Sequence, residues 1–154
     1  MPTAVASSDR GPVDTATPVR RIALIGNPNT GKTTLFNALC GTRAKTSNFP
    51  GTTTAVRTGR AAIGATARAL EVLDLPGVYD LDVDAPEASI ATAVLAGTRS
   101  AAPDAVVVIV DACNLPRNLV LVGQLLGRSV PLVVALNMAD LAQKRGLVID
   151  AAAL

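Results

Sequence analysis

No histidine occurs anywhere in the 154 residues, and the only two cysteines, Cys40 and Cys113, lie far apart without metal-ligand spacing. The thiols read most simply as reduced and buried, as in a reducing cytosol. An excess of either charge is missing as well. The net charge is +2 and the 14 basic residues are scattered, so nucleic acid is not expected as a partner. Long apolar runs are also lacking: the longest, AVVVIV (105–110) and VPLVVAL (130–136), fall well short of the ~20 residues a membrane-spanning helix needs and read as buried strands. No internal repeat is present. What remains is globular material, because 49% hydrophobic and 17% charged residues exclude a chain disordered throughout, and the length is one domain's worth with a real core.

The first 19 residues are rich in Pro, Ser, Thr and Ala, without periodicity or a continuous apolar stretch. They read as a flexible arm and not as a signal peptide. From residue 20 onward strand-like runs alternate with helix-like ones, the pattern of a parallel sheet with crossover helices. The expected strands are 20–25, 55–63, 67–73, 105–110 and 130–136, with a turn at Gly64 between the second and third. Helices are expected from near Lys32 to a stop at Gly41, over 87–95 and over 117–126. Polar loops are expected up to Thr54 and over 76–86.

Between the first strand and the first helix stands GNPNTGKTT, formed by Gly26, Asn27, Pro28, Asn29, Thr30, Gly31, Lys32, Thr33 and Thr34. Gly26, Gly31, Lys32 and Thr33 fit GxxxxGK[ST], and the strand–loop–helix setting is the one this motif requires. Backbone N–H groups of such a loop cradle phosphates, helped by the helix dipole. Lys32 is expected to reach the β- and γ-phosphates, and the Thr33 hydroxyl to ligate Mg²⁺. Next comes LDLPG, a DxxG running from Asp74 to Gly77. There the carboxylate can approach Mg²⁺ through water and the Gly77 amide can meet the γ-phosphate. Finally, Asn137 and Asp140 form NxxD after the last strand. Guanine offers N1–H and a 2-amino group side by side, a donor pair that a carboxylate accepts and adenine lacks. Asp140 therefore reads as the guanine selector, with Asn137 as its support. All three motifs sit at carboxyl ends of strands, where open α/β sheets bind ligands.

These residues resemble the translation-factor-like GTPases, and within them the cytosolic G domain of the bacterial ferrous iron transport protein B (FeoB) family. IGNPNTGKTTLFNAL, NFPGTTT, LDLPGVYDL, VVDACNLPRNL and VALNMAD carry the resemblance, which covers residues 20–154. It implies an α/β, three-layer P-loop fold of the small-GTPase type. It also implies GTP and GDP as ligands, GTP hydrolysis, and a membrane iron-transport domain as the partner in full-length, inner-membrane family members. NMxD in place of NKxD is itself a trait of that family, with Met138 supplying the apolar surface on the base that a lysine stem otherwise gives. Thr53 corresponds to the switch threonine that closes on Mg²⁺ and the γ-phosphate, with Thr52 and Thr54 as neighbouring alternatives. Relatives with an asparagine at the position of Asn29 can use K⁺ in place of an arginine finger. Carbonyls around 47–49 would complete that site, although here Ser47 and Phe49 replace the expected Gly and Trp. Asn29, Lys32, Thr53 and Gly77 are thus the expected catalytic set.

Val78 stands where many regulatory GTPases carry a water-positioning glutamine, so slow intrinsic hydrolysis is expected. Asp80, Asp82 and Asp84 have no His or Cys beside them and read as a solvated, mobile switch loop and not as a metal site. Compared with related G domains, the sequence stops before the last strand and its base-contacting loop, so the resemblance implies a G domain incomplete at its C-terminus. Two alternatives stay open: a ribosome-assembly or tRNA-modification GTPase, and a nucleotide-binding fragment without catalysis.

Overall fold

The structure is a computed structural model that describes residues 20–41, 45–48, 54–63, 68–98, 100–150 and 152–153. The N-terminal arm, Thr52, Thr53, Phe49 and the turn at Gly64 lie outside these residues. The chain order is β1 (Arg21–Gly26), α1 (Lys32–Cys40), β2 (Lys45–Asn48), β3 (Ala55–Ile63), β4 (Arg68–Asp74), α2 (Pro86–Leu95), β5 (Ala105–Asp111), α3 (Leu115–Leu126), β6 (Leu132–Asn137) and α4 (Ala139–Lys144). The six strands form one sheet in the order β2-β3-β4-β1-β5-β6. β1 pairs in parallel with both β4 and β5, and β5 with β6, while β2–β3 and β3–β4 are antiparallel. The sheet is mixed and mostly parallel over the half that carries the motifs.

Strand alternation divides β1 between two cores. Ile22 and Leu24 face α1 with Val72, Ile109, Phe36 and Cys40. Ala23 and Ile25 face α2 and α3, against Val106, Val108, Ile90, Val94, Leu121 and Leu125. The result is three layers, helix–sheet–helix. A strand covered on both faces must be apolar at nearly every position, which explains why RIALIG and AVVVIVD are runs and not alternations. Each large apolar side chain so buried contributes about 1.5–3 kcal/mol.

Four departures from the sequence expectations have physical causes. Every site-bearing strand extends one residue further than its apolar run, to Gly26, Asp74, Asp111 and Asn137. The ladder is made by backbone groups and continues past the apolar run onto a polar residue, as in the register pairs Leu24–Asp74 and Asp111–Asn137. Residues 45–48, expected as loop, pair antiparallel with β3, since a polar edge strand needs only backbone partners. α3 begins two residues early, at Leu115, because Pro116 suits a helix's first turn. β6 starts after Pro131, whose carbonyl accepts from the Val106 N–H (2.8 Å).

Both cysteines are free thiols; Cys40 is buried as expected, whereas Cys113 is only half-buried. Burial pushes the Cys40 thiol above its usual range, outweighing the opposing pull of Arg57, so it acts as a small apolar group. It packs on Gly59 of β3, where a Cβ would lie 2.5 Å from Cys40 Sγ and 2.6 Å from its Cβ. Gly59→Ala should therefore overpack this core and cost about 1–3 kcal/mol, read as a lower thermal midpoint. Adding Cys40→Ala should recover part of the loss, and equal midpoints for wild type and Gly59→Ala would contradict this packing.

Candidate nucleotide-binding site

The parallel strands place their carboxyl ends side by side, and the loops that leave them surround a cleft of about 530 Å³. Asn27, Pro28, Asn29, Gly31, Lys32, Thr33 and Thr34 line it from the β1–α1 loop, Gly77 from the loop after β4, and Met138 from the end of β6. Lys32 is the only charged residue among them.

The β1–α1 loop is held by its own bonds. The Thr30 hydroxyl donates to the Asn27 carbonyl (2.9 Å). Asn29 and Gly31 both take left-handed backbone conformations, φ 63° and 86°. That region is tolerated by asparagine and natural to glycine, so these two residues at these two places let the loop curl around the cleft. Gly31 is the N-cap of α1 and supplies no side-chain hydrogen bond, and the first turn of α1 contains no acidic residue. The first amides of α1 thus face an anion site with the favourable end of the helix dipole.

Asn137 reaches across from β6, donating from Nδ2 to the Thr30 carbonyl (2.8 Å). A Cβ on Gly31 would collide with that same Nδ2. The support expected of Asn137 is therefore given to the phosphate loop: it ties the NxxD strand to GxxxxGK. Met138 is left-handed (φ 59°) and caps α4, which sets Asp140, exposed, in the first turn of α4 beyond the cleft lining. The Met138 carbonyl also lies 4.0 Å from Cys113 Sγ.

Lys32 and Asp74 form an ion pair, Nζ to Oδ1, with side chains only 11% and 4% exposed. The sequence led us to expect the lysine on phosphates and the carboxylate near Mg²⁺; the structure joins them to each other. An ammonium has three donors and a carboxylate about four acceptor positions, so each keeps capacity for a further partner. Thr33, exposed at the start of α1, and Asp74 are hard oxygen donors of the kind Mg²⁺ takes. That ion is usually held by one or two protein groups plus substrate phosphates. The donor set fits, and no cluster of three or more His, Cys, Asp or Glu that could hold a metal exists among the described residues.

Gly77 lies against the phosphate loop, where a Cβ would be 3.2 Å from Pro28 Cα and N. The next residue, Val78, donates its N–H to the Gly26 carbonyl (3.1 Å) and buries its side chain in the α2–α3 core. No water-positioning side chain can come from that position. Asp80 and Asp82, expected in a solvated mobile loop, are hydrogen-bonded to Gln124 of α3, and Asp84 is exposed. Sequence reasoning placed Asn27 in the phosphate loop, where it lines the cleft, but missed Gln124 and Arg117. Asn27 is 3% exposed and its Nδ2 makes a long 3.5 Å contact to the Arg117 carbonyl; no motif flags α3 residues seven positions apart.

A glycine loop between β1 and α1, a carboxylate closing β4 and NxxD closing β6, on a mostly parallel sheet, define a P-loop nucleotide-binding domain of the guanine type. Residues 20–154 match the family model described as ferrous iron transport protein B. The chain belongs to that family as its N-terminal G domain, a GTP-binding domain tied to ferrous iron transport. It is 44% identical over 128 residues to the Fe(2+) transporter FeoB of Legionella pneumophila (strain Lens), covering 82% of this chain and 17% of the relative. Among solved structures it is similar to an S. thermophilus NFeoB mutant bound to GDP (40% identity, TM-score 0.75, 85% of this chain and 49% of that one). It is also similar to the cytosolic domain of L. pneumophila FeoB (42%, TM-score 0.75, 84% and 50%). The chain thus spans about a sixth of the curated relatives' length and half of these solved chains. No helix among the described residues is long and apolar enough to cross a membrane.

The Asn137–Thr30 bond predicts a ranking. Asn137→Ala removes one bond, worth about 0.5–1.5 kcal/mol, and should weaken GDP binding several-fold. Asn137→Asp sets a carboxylate oxygen against the Thr30 carbonyl and should weaken it further. A fluorescent-GDP titration in which Asn137→Asp binds as tightly as Asn137→Ala would contradict the bond.

Proposed function

We propose that this domain is a nucleotide switch that binds GTP and GDP, hydrolyses GTP slowly, and couples that cycle to ferrous iron transport by a longer membrane protein whose cytosolic part it forms. One observation carries the reading: the glycine loop, the DxxG glycine and the NMxD methionine line one cleft at the carboxyl edge of the sheet. The GDP bound to the S. thermophilus relative supports guanine nucleotide as the ligand. The far greater length of the curated relatives leaves room for a transport part as partner.

In this reading the α1 amides and Lys32 bind the phosphates, Gly77 meets the γ-phosphate, and Asp140 accepts from guanine while Met138 covers the base. Thr33 and Asp74, the latter through water, hold Mg²⁺, which neutralises phosphate charge. Thr53 is the proposed switch threonine. K⁺ is the second proposed cation, held in part by Asn29, which lines the cleft and would direct positive charge where an arginine finger does in other GTPases. Slow turnover follows from the burial of Val78, which leaves that position with no group to orient water.

Two measurements test these roles. GTP and GDP should outcompete ATP strongly, because a site built for a donor pair penalises a ligand that leaves its acceptor unpaired. Asp140→Asn should lose GTP and gain xanthosine nucleotides. Equal binding of ATP and GTP is the result that refutes guanine selection. Separately, exchanging Na⁺ for K⁺ at constant ionic strength should accelerate GTP turnover in the wild type and leave Asn29→Ala unchanged, with GDP still bound. Turnover indifferent to K⁺ removes the second cation from the reading.

A further inference from the structure

The segment after Gly77 is gripped by two residues on one face of α3. Arg117 and Gln124 are seven apart, two helical turns, and so lie one above the other. The Arg117 guanidinium carbon sits 4.0 Å from the centre of the Tyr79 ring. Gln124 Oε1 accepts from the Leu81 N–H (2.9 Å), and its Nε2 donates to Asp80 Oδ1 (2.6 Å) and Asp82 Oδ2 (3.0 Å). The Asp82 N–H donates to the same Asp80 oxygen (2.8 Å). Between these bonds the Leu81 side chain is buried in the core with Val78. One primary amide is therefore used on both sides: its oxygen by a backbone donor, its two N–H bonds by two carboxylates. A glutamate there would keep the acceptor and turn a third negative oxygen pair on Asp80 and Asp82, and a lysine would lack the acceptor.

This grip bears on the cleft because the held segment begins at the cleft wall. Gly77 rests on Pro28 and the Val78 N–H is bonded to Gly26, while the carbonyl of Arg117 faces Asn27 of the phosphate loop. Moving the loop off α3 thus moves the residues that set the Gly77 amide. We infer that Gln124, seconded by Arg117, is a positioning residue for GTP hydrolysis: it holds the loop of Tyr79 to Asp82 on α3 so that the Gly77 amide stays at the phosphate loop. The inference rests on the GTPase reading above. The same contact reaches the Asp80 carboxyl, which the Gln124 hydrogen bond, followed by the Asp82 amide, holds below the usual range.

The test uses the whole chain with Gln124→Met, which keeps side-chain length and helix propensity, and Gln124→Glu. Leu126→Gln, on an exposed part of α3, is the control for helix stability. Expected for both Gln124 variants is a kcat for GTP lower by about ten- to a hundredfold, the size of effect a misplacement of up to an ångström produces. GDP affinity should stay within about twofold, because those contacts come from other loops. Amide exchange at Leu81 should quicken, and the Asp80 carboxyl should titrate nearer its ordinary range in Gln124→Met. Adding Asp80→Asn to Gln124→Glu returns a donor opposite the new carboxylate and should recover part of kcat. Wild-type kcat and Leu81 exchange in both variants would overturn the inference while leaving the GTPase reading intact. So would a loss of GDP affinity as large as the loss of kcat, which marks general damage. A wild-type chain that binds no guanine nucleotide would overturn the parent reading and this inference with it.

Discussion

The parallel pairing of β1 with β4 on one edge and β5 on the other is the constraint from which the site follows. β1 is buried on both faces, so its register is held by two cores at once, and a slip by one residue would turn each face inside out. With that register set, Gly26, Asp74, Asp111 and Asn137 end their strands on one side of the sheet. Residues more than a hundred positions apart in the chain then meet: Asn137 donates to Thr30. Hydrophobic burial builds the platform, and a few directed hydrogen bonds set the loops on it.

Charge within the cleft is arranged economically. Lys32 and Asp74 neutralise each other with little exposure, and removal of either would strand an uncompensated charge. A triphosphate with its cation brings both a partner for the ammonium and a partner for the carboxylate, so the pair is matched to the ligand class. Backbone amides at the start of α1 add favourable potential at no cost in mobile side chains. In the loop after Gly77, Asp80 and Asp82 are turned instead to the amide of Gln124.

Membership of the ferrous iron transport protein B family gives the domain its setting. The chain covers 17% of the length of its curated Legionella relative. The loop after Gly77 starts at the cleft and ends on the outer helix layer. α3 lies under it, with one face in the core and one edge in contact with both the phosphate loop and the loop after Gly77.

The sequence alone determined the phosphate loop, the DxxG and NMxD motifs, the family, and the elements other than β2 and α4, because each is encoded locally. Apolar runs mark doubly covered strands, Gly31 and Gly41 mark the ends of α1, and the motif residues have a fixed spacing. Strand ends and the short β2 were less legible, since backbone ladders continue regardless of side-chain polarity. Tertiary structure alone decided that Lys32 pairs with Asp74, that Asn137 braces Thr30, that Val78 is buried core, and that Asp80 and Asp82 are bound by Gln124. Those pairs are 42, 107 and 44 residues or fewer apart in sequence, and no local pattern encodes them. They exist because the sheet register and the packing of α3 bring together groups that must otherwise find hydrogen-bond partners in water.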